Sequence, residues 1–117
     1  MKKVNKLLTF IEEQKLEEGI NQTIIPSLRI FKSSNVTQIL HTVYEPSLFV
    51  IVQGRKIVSI SRKNIEYDSS KYLCSSSFLP VSGKIIKASK EEPFLSLQIV
   101  FSFEQIFAAL ESCHLKI

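Results

Sequence analysis

The spacing of apolar residues changes near residue 24, from a helical period to short runs typical of strands. Before that point, the apolar residues that share one helical face are Val4, Leu7, Leu8 and Ile11. This pattern predicts a helix over residues 2–18, which Gly19 ends. Lysines at its start and glutamates at its end oppose the helix dipole, so the helix must dock its apolar face on another surface.

From residue 24 to residue 101, short apolar runs alternate with turn residues, as in antiparallel barrels and sandwiches. The runs predict strands over residues 27–31, 36–40, 48–52, 56–60, 65–67, 72–74, 81–88 and 94–101. The run 48–52 has no polar interruption, so we expect both of its faces to be covered. Between two runs, Gly54 and Arg55 predict a two-residue type II′ hairpin turn, because glycine readily adopts the positive φ.

Further turns are predicted around residues 61–64, 68–71 and 89–92, and a second helix follows the last strand. Ser102 and Gln105 have the spacing of a capping box, in which each side chain bonds the backbone N–H of the other. An apolar stripe extends this helix over residues 103–114. A chain of 117 residues, 44% of them hydrophobic, is long enough to bury one core as a single domain.

The most specific pattern is YEPSLFVIVQG at residues 44–54, followed by Lys56. Further segments are YD at 67–68, YL at 72–73, LPVSGK at 79–84 and ASKEEPFLSL at 88–97. In order and spacing, these segments resemble the amino-terminal domain of AraC-type bacterial transcriptional regulators, over roughly residues 24–110. The resemblance implies a mainly β fold, a cupin-like antiparallel β-barrel or jelly roll with an N-terminal and a C-terminal helix. We divide the chain into a helix with its lead-in at 1–23 and the sensor domain at 24–117.

The resemblance also implies a function. Such domains sense an effector and dimerise, and they modulate DNA binding by a C-terminal helix-turn-helix domain that we expect to lie outside this chain. We therefore expect a small-molecule effector of unknown identity, a homodimer, and contact with DNA only through that further domain. Two alternatives stay open, a small cupin-fold enzyme and a stand-alone interaction module without a ligand.

Polar-tipped residues in or beside apolar strands are candidate ligand contacts: Tyr44, Gln53, Tyr72 and Gln98. Alternatively, the tyrosines are core residues and Gln98 faces outward. We expect the other shared positions to shape turns and strand ends: Glu45, Pro46, Gly54, Lys56, Tyr67, Asp68, Pro80, Glu92 and Pro93. The family commonly has turn glycines where this chain has Ser61 and Ser70-Lys71, so we expect these turns either to use residues that tolerate the left-handed region, such as Asn64, or to differ in type.

The two predicted helices are candidate dimer contacts through their apolar stripes. The stripe residues are Leu7, Leu8 and Ile11 in the first helix and Phe103, Ile106, Phe107 and Leu110 in the second. Packing of each stripe against its own barrel is an equal alternative, because either arrangement buries the apolar face.

Residues suited to catalysis or metal binding are sparse. The two histidines, His41 and His114, lie on different predicted elements, and Asp68 is the only aspartate. The chain contains neither the nucleophile elbow of serine hydrolases nor a glycine-rich phosphate loop. We therefore expect no enzymatic activity, no metal and no cofactor.

The net charge of +4 does not predict nucleic-acid binding by this chain, because the basic residues are scattered along it. No signal-peptide pattern or membrane-length apolar run is present. We expect a cytoplasmic domain without membrane contact, in which Cys74 and Cys113 are reduced. Because Cys74 follows an apolar pair, we expect it in the core.

Overall fold

The computed structural model describes residues 2–75 and 77–112, apart from the side chains of residues 2–5, 7, 109, 110 and 112. The described residues form two helices and nine strands. In chain order these are α1 (Lys2–Glu12), β1 (Gly19–Gln22), β2 (Leu28–Ser33), β3 (Leu40–Tyr44), β4 (Ser47–Gln53), β5 (Arg55–Ile60), β6 (Lys63–Tyr67), β7 (Tyr72–Ser75), β8 (Leu79–Lys87), β9 (Phe94–Val100) and α2 (Phe103–Ser112).

The strands form two antiparallel sheets. Sheet A has the order β1-β2-β9-β4-β7, and sheet B has the order β3-β8-β5-β6. Apart from the β5–β6 hairpin, each strand from β2 to β9 crosses to the opposite sheet, which is the double Greek key of a jelly roll. Of the two predicted forms, the structure is thus the jelly-roll sandwich, since its sheets do not close into a barrel.

The main core lies between the sheets. Its buried residues come from the inner faces of both: Tyr44, Ile51, Val58, Tyr67, Val81, Ile85 and Phe94. The rings of Phe31 and Phe94 meet edge to face, with 6.0 Å between their centroids. Aromatic rings bury large apolar areas and favour this geometry, so the pair helps to hold β2 and β9 in register.

A second core lies on the opposite face of sheet A, beneath α1. It contains Ile11, Ile30, Val52, Leu95 and Leu97. Consecutive residues of β4 serve the two cores, because Ile51 points inward and Val52 points towards the helix. The prediction that the run 48–52 is covered on both faces is therefore confirmed.

The first helix ends at Glu12, and the prediction that it continues to residue 18 is wrong. The Gln14 side chain donates to the carbonyl of Phe10 at 3.3 Å, and Lys15 takes a left-handed φ of 39°, which stops the helix. Gly19 then opens the edge strand β1, which the sequence did not predict. The strand was missed because its one large apolar side chain, Ile20, is 64% exposed and gives no burial pattern.

The predicted strand at 36–40 is also displaced, since β3 begins at Leu40. Residues 36–39 run beside β8, where the Thr37 N–H donates to the carbonyl of Ile85 at 3.1 Å. The Ile85 N–H in turn donates to Thr37 Oγ1 at 3.0 Å. Val36 and Ile39 produced the strand pattern, but both are more than half exposed.

Gly54 has the predicted positive φ, at 94°, but it does not make a hairpin. β4 pairs with β7 and β9, whereas β5 pairs with β6 and β8. Gly54 therefore carries the chain from sheet A to sheet B. A Cβ at this position would stand 2.7 Å from the carbonyl oxygen of Lys87 and 2.9 Å from Cδ2 of Phe94, so the crossing requires glycine.

The turn predicted at 61–64 is present between β5 and β6, but Asn64 is not one of its central residues. Ser61 and Arg62 have φ values of 47° and 70°, as in a type I′ turn, while Asn64 lies within β6.

The predicted turn at 68–71 is confirmed, because Asp68 Oδ1 accepts hydrogen bonds from the N–H and the hydroxyl of Ser70. These bonds from Ser70 lower the pKa of Asp68 below its ordinary value. The predicted turn at 89–92 is confirmed too, where the Ser89 N–H donates to the carbonyl of Glu92.

Only two residues separate β9 from α2, and both are fixed. The Phe101 N–H donates to the carbonyl of Pro46 at 2.9 Å. The predicted capping box is confirmed, since the Ser102 N–H donates to Gln105 Oε1 at 2.9 Å and the Gln105 N–H donates to Ser102 Oγ at 3.1 Å. The helix is described as far as Ser112, and its predicted end at residue 114 lies outside the described residues.

Candidate functional site

Three polar side chains meet on the inner face of sheet B. Lys56 lies on β5, Tyr44 at the end of β3 and Tyr67 at the end of β6. Lys56 Nζ donates to the Tyr44 hydroxyl at 2.8 Å and lies 5.4 Å from the centroid of the Tyr44 ring, within cation–π range. The hydroxyl of Tyr67 shares a hydrogen bond with that of Tyr44. We call these three residues the inner cluster.

A glycine on β8 makes room for the lysine. Lys56 is paired with Ile85, and Gly83 lies two residues before Ile85 on the same face of the strand. A Cβ at Gly83 would lie only 3.0 Å from Cε of Lys56. The lysine stem can therefore lie flat along the sheet over Gly83, and its ammonium reaches Tyr44 on β3.

The inner cluster is sheltered from water. Tyr44 and Tyr67 are 8% and 5% exposed, and Lys56 is partly buried. Burial, followed by the neighbouring Tyr44 hydroxyl, raises the pKa of Tyr67 far above the ordinary tyrosine value, so Tyr67 stays a neutral hydroxyl. The ring of Tyr44 packs on Phe49 with centroids 4.3 Å apart. The cluster thus combines one cation and two hydroxyls with apolar walls.

Sheet A contributes a second polar group to the same interior. Arg29 Nη1 donates to Glu45 Oε1 at 2.5 Å, so the guanidinium has an acidic partner. Gln98 Nε2 donates to Ser47 Oγ at 3.0 Å, and Ser47 Oγ donates to the carbonyl of Glu45 at 2.9 Å. Within the described part of the chain, the buried Nε of Arg29 has no hydrogen-bond partner.

The four predicted ligand residues separate in the structure. Tyr44 and Gln98 face the space between the sheets, so Gln98 does not take the alternative outward position. Gln53 Nε2 donates to the carbonyl of Pro93 at 2.8 Å and fixes the end of β4. Tyr72 is 73% exposed and pairs with Val50, on the outer face of sheet A. Of the four, the structure therefore brings only Tyr44 and Gln98 to the space between the sheets.

Lys56 and Tyr67 were expected to shape turns and strand ends, and their position in the inner cluster was missed. A signal was present in the sequence, since Lys56, Val58 and Ile60 alternate along one strand and share its face. A lysine in line with two β-branched apolar residues indicates a charged group on the buried face. Cys74 shows the opposite error, because it lies exposed on the edge strand β7 and not in the core.

The candidate dimer residues also fall into two groups. Ile11 is 1% exposed and packs with Leu8 on sheet A of its own chain, as the alternative interpretation held. On α2, Phe103 and Phe107 are 65% and 63% exposed, while Ile106 is partly buried. The side chains of Leu7 and Leu110 lie outside the described residues.

Over residues 2–75 and 77–112, histidine, cysteine, aspartate and glutamate side chains nowhere gather in a group of three that could hold a metal ion. On the outer face of sheet B, His41 Nδ1 lies 2.7 Å from Ser82 Oγ in an exposed contact. Neither helix of the described chain is long and apolar enough to cross a membrane.

The described strands form a jelly-roll sandwich with a few polar side chains between its sheets, and comparison with known proteins gives the family. Residues 24–115 match the family described as AraC-type transcriptional regulator N-terminus. The match covers most of the sequence, and the chain belongs to this family, whose domains are generally effector-sensing and dimerising.

Two solved structures have a similar course of the chain. Both are mutants of salicylate 1,2-dioxygenase from Pseudoaminobacter salicylatoxidans in complex with gentisate, with TM-scores of 0.44 and 0.43 and 12% sequence identity. Each alignment covers 94% of this chain and 33% of the enzyme, so the chain spans one third of the enzyme's length. No curated protein sequence matches the chain.

Proposed function

We propose that this chain is the regulatory domain of an AraC-type transcriptional regulator and that it binds a small-molecule effector between its two sheets. The inner cluster carries this proposal. Small-molecule sites are mostly apolar, with a few polar groups that fix orientation, and Lys56, Tyr44 and Tyr67 lie among apolar core residues in this way. Packing alone does not account for Lys56, because an apolar side chain could fill the space between the sheets without burying a charge.

The bound effector would bias DNA binding by a helix-turn-helix domain elsewhere in the full-length protein. It can do so only if it has different affinities for two arrangements of the domains or subunits. Phe103 and Phe107, one turn apart on α2 and exposed, support a dimer contact through this helix. Family membership supports a regulatory role without catalysis, and a role on DNA supports a cytoplasmic location.

Native mass spectrometry of the purified chain, before and after incubation with a small-molecule cell extract, tests both parts of the proposal. We expect a dimer that retains an added mass of a few hundred daltons. The double variant Tyr44→Phe/Tyr67→Phe should lose the added mass, because it removes both hydroxyls of the inner cluster. Tyr72→Phe is the matched control, since its hydroxyl lies on the exposed edge strand, and it should retain the added mass.

Equal loss in the control variant, or no added mass from any extract, would overturn effector binding between the sheets. A monomer in the wild-type chain would overturn dimerisation by this domain. For a dimer, Phe103→Glu/Phe107→Glu should give monomers that still bind the small molecule, whereas persistence of the dimer would exclude α2 as the contact. A retained transition metal would favour the cupin-fold enzyme.

A further inference from the structure

Two cations face the space between the sheets, and they differ in how their charge is balanced. Arg29 is neutralised by Glu45. The ion pairs found in the described residues involve only Arg29 and Arg55 as cations, so Lys56 has no acidic partner there. The interior of the sandwich therefore carries one uncompensated positive charge.

The contacts of Lys56 leave its ammonium incompletely satisfied. An ammonium has three N–H donors, and in the described structure the Tyr44 hydroxyl accepts one of them. The face of the Tyr44 ring adds a weak attraction. A partly buried cation is costly unless it is paired, so this position favours an incoming negative charge.

The two tyrosines complete a site for an anion. The Tyr44 hydroxyl accepts from Lys56, and the hydrogen bond between the two tyrosines uses one of their two protons, so the other proton remains available for donation. Tyr67 is a neutral hydroxyl beside it. Ammonium and hydroxyl donors on one side, with Phe49 and Val58 nearby, suit an oxygen anion attached to an apolar body.

We propose that the site between the sheets selects amphipathic ligands with a carboxylate or a similar compact anionic head group, for which Lys56 is the counter-ion. This inference rests on the proposed function, because it names the chemical class of the effector that the interior would bind. It makes Lys56 the residue that determines specificity, while the apolar walls contribute affinity that does not depend on ligand charge.

Two fluorescent probes of similar shape test the charge preference directly. 1-Anilinonaphthalene-8-sulfonate and N-phenyl-1-naphthylamine have the same aromatic body. Only the first carries an anionic sulfonate group, and the second is neutral. The chain has three tyrosines and no tryptophan, so in a Tyr72→Phe background only Tyr44 and Tyr67 emit. Probe emission excited through tyrosine therefore reports binding close to the inner cluster.

We expect the anionic probe to bind about tenfold more tightly than the neutral one, which corresponds to about 1.4 kcal/mol. Lys56→Met should remove this preference while neutral-probe binding is kept, and Lys56→Arg should retain it. Lys84→Met is the matched control on the neighbouring strand, since Lys84 is exposed on the outer face of sheet B, and it should change neither affinity.

Equal affinity for the two probes, with tyrosine-excited emission from both, would overturn the anion preference and leave the binding site between the sheets intact. Absence of tyrosine-excited emission from either probe would overturn the interior site itself and the inference with it. The comparison of the two probes on the chain with native Lys56 decides the matter even if Lys56→Met does not fold.

Discussion

The two sheets differ in how many of their faces are covered. Sheet A has the sandwich core on one side and α1 on the other, so that Ile51 and Val52 are both at least 96% buried. Sheet B has the core on its inner face only, and Val43 on the outer face is 60% exposed. A strand covered on both faces reads as a continuous apolar run, whereas one covered on a single face tolerates polar residues. The inner cluster lies on sheet B, the sheet with one exposed face.

We expect the largest change in the free energy of unfolding when a charge is placed on the outer face of sheet A, in comparison with the outer face of sheet B. Val52→Asp puts a carboxylate beneath α1 among the apolar side chains of the second core, and should cost on the order of 4 kcal/mol or prevent folding. Val43→Asp makes the same change on the open face and should cost less than about 1 kcal/mol. Urea unfolding of both variants checks this. A large loss at Val43 would break the comparison, because it would show that the outer face of sheet B is covered in solution.

A second comparison isolates the helix that covers sheet A. Ile11→Ala should lower the free energy of unfolding by about 3 kcal/mol, since a fully buried side chain leaves a cavity between α1 and β4. Phe10→Ala, at a 56% exposed position on the same helix, should change it by about 0.5 kcal/mol or less. Reversal of this order in thermal or urea unfolding would mean that α1 turns its other face to the protein.

A smaller, stabilising effect is expected at the hairpin of sheet B. Arg62 holds a φ of 70°, which costs a side-chain-bearing residue roughly 1 kcal/mol and costs glycine little. Arg62→Gly should therefore raise the free energy of unfolding by about 1 kcal/mol. Lys63→Gly, one residue later in β6, should lower the free energy of unfolding, because a strand residue has no positive φ whose strain glycine could relieve. Destabilisation by both changes would contradict the left-handed turn.

The smallest effect at neutral pH concerns the inner face of sheet B. Since burial raises the pKa of Tyr67, the folded chain keeps this proton while the unfolded chain loses it near pH 10. This contribution to stability is therefore complete below about pH 10 and declines as the pH rises further. Tyr67→Phe should remove that decline in urea unfolding series, whereas Tyr72→Phe should leave it unchanged. An identical decline in the Tyr67 variant would show that another group causes it.

The elements predicted correctly are those whose signal is local. The capping box at Ser102 fixes the start of α2 with residues three apart, and the apolar run of β4 identifies a strand buried on both sides. The displaced strand β3 shows the limit of such signals, because the exposed Val36 and Ile39 have the pattern of a buried strand without its packing.

Strand partnership was the main error in the fold. The positive φ of Gly54 suits a hairpin and a crossing between sheets equally, and only the distant packing of Phe94 and Lys87 against it selects the crossing. The site was missed for the same kind of reason. Lys56 reaches Tyr44 only because Gly83, far along the sequence, leaves space over β8, and no local pattern contains that information.

The junction between β9 and α2 has a mechanical consequence. With the Phe101 N–H tied to Pro46 and Ser102 tied to Gln105, the two linking residues leave no slack between strand and helix. β9 carries Gln98 on its inner face. A tilt of this strand would therefore rotate α2 with it, and the displacement would increase along the helix. A small movement between the sheets would thus produce a larger displacement at the exposed ring of Phe107.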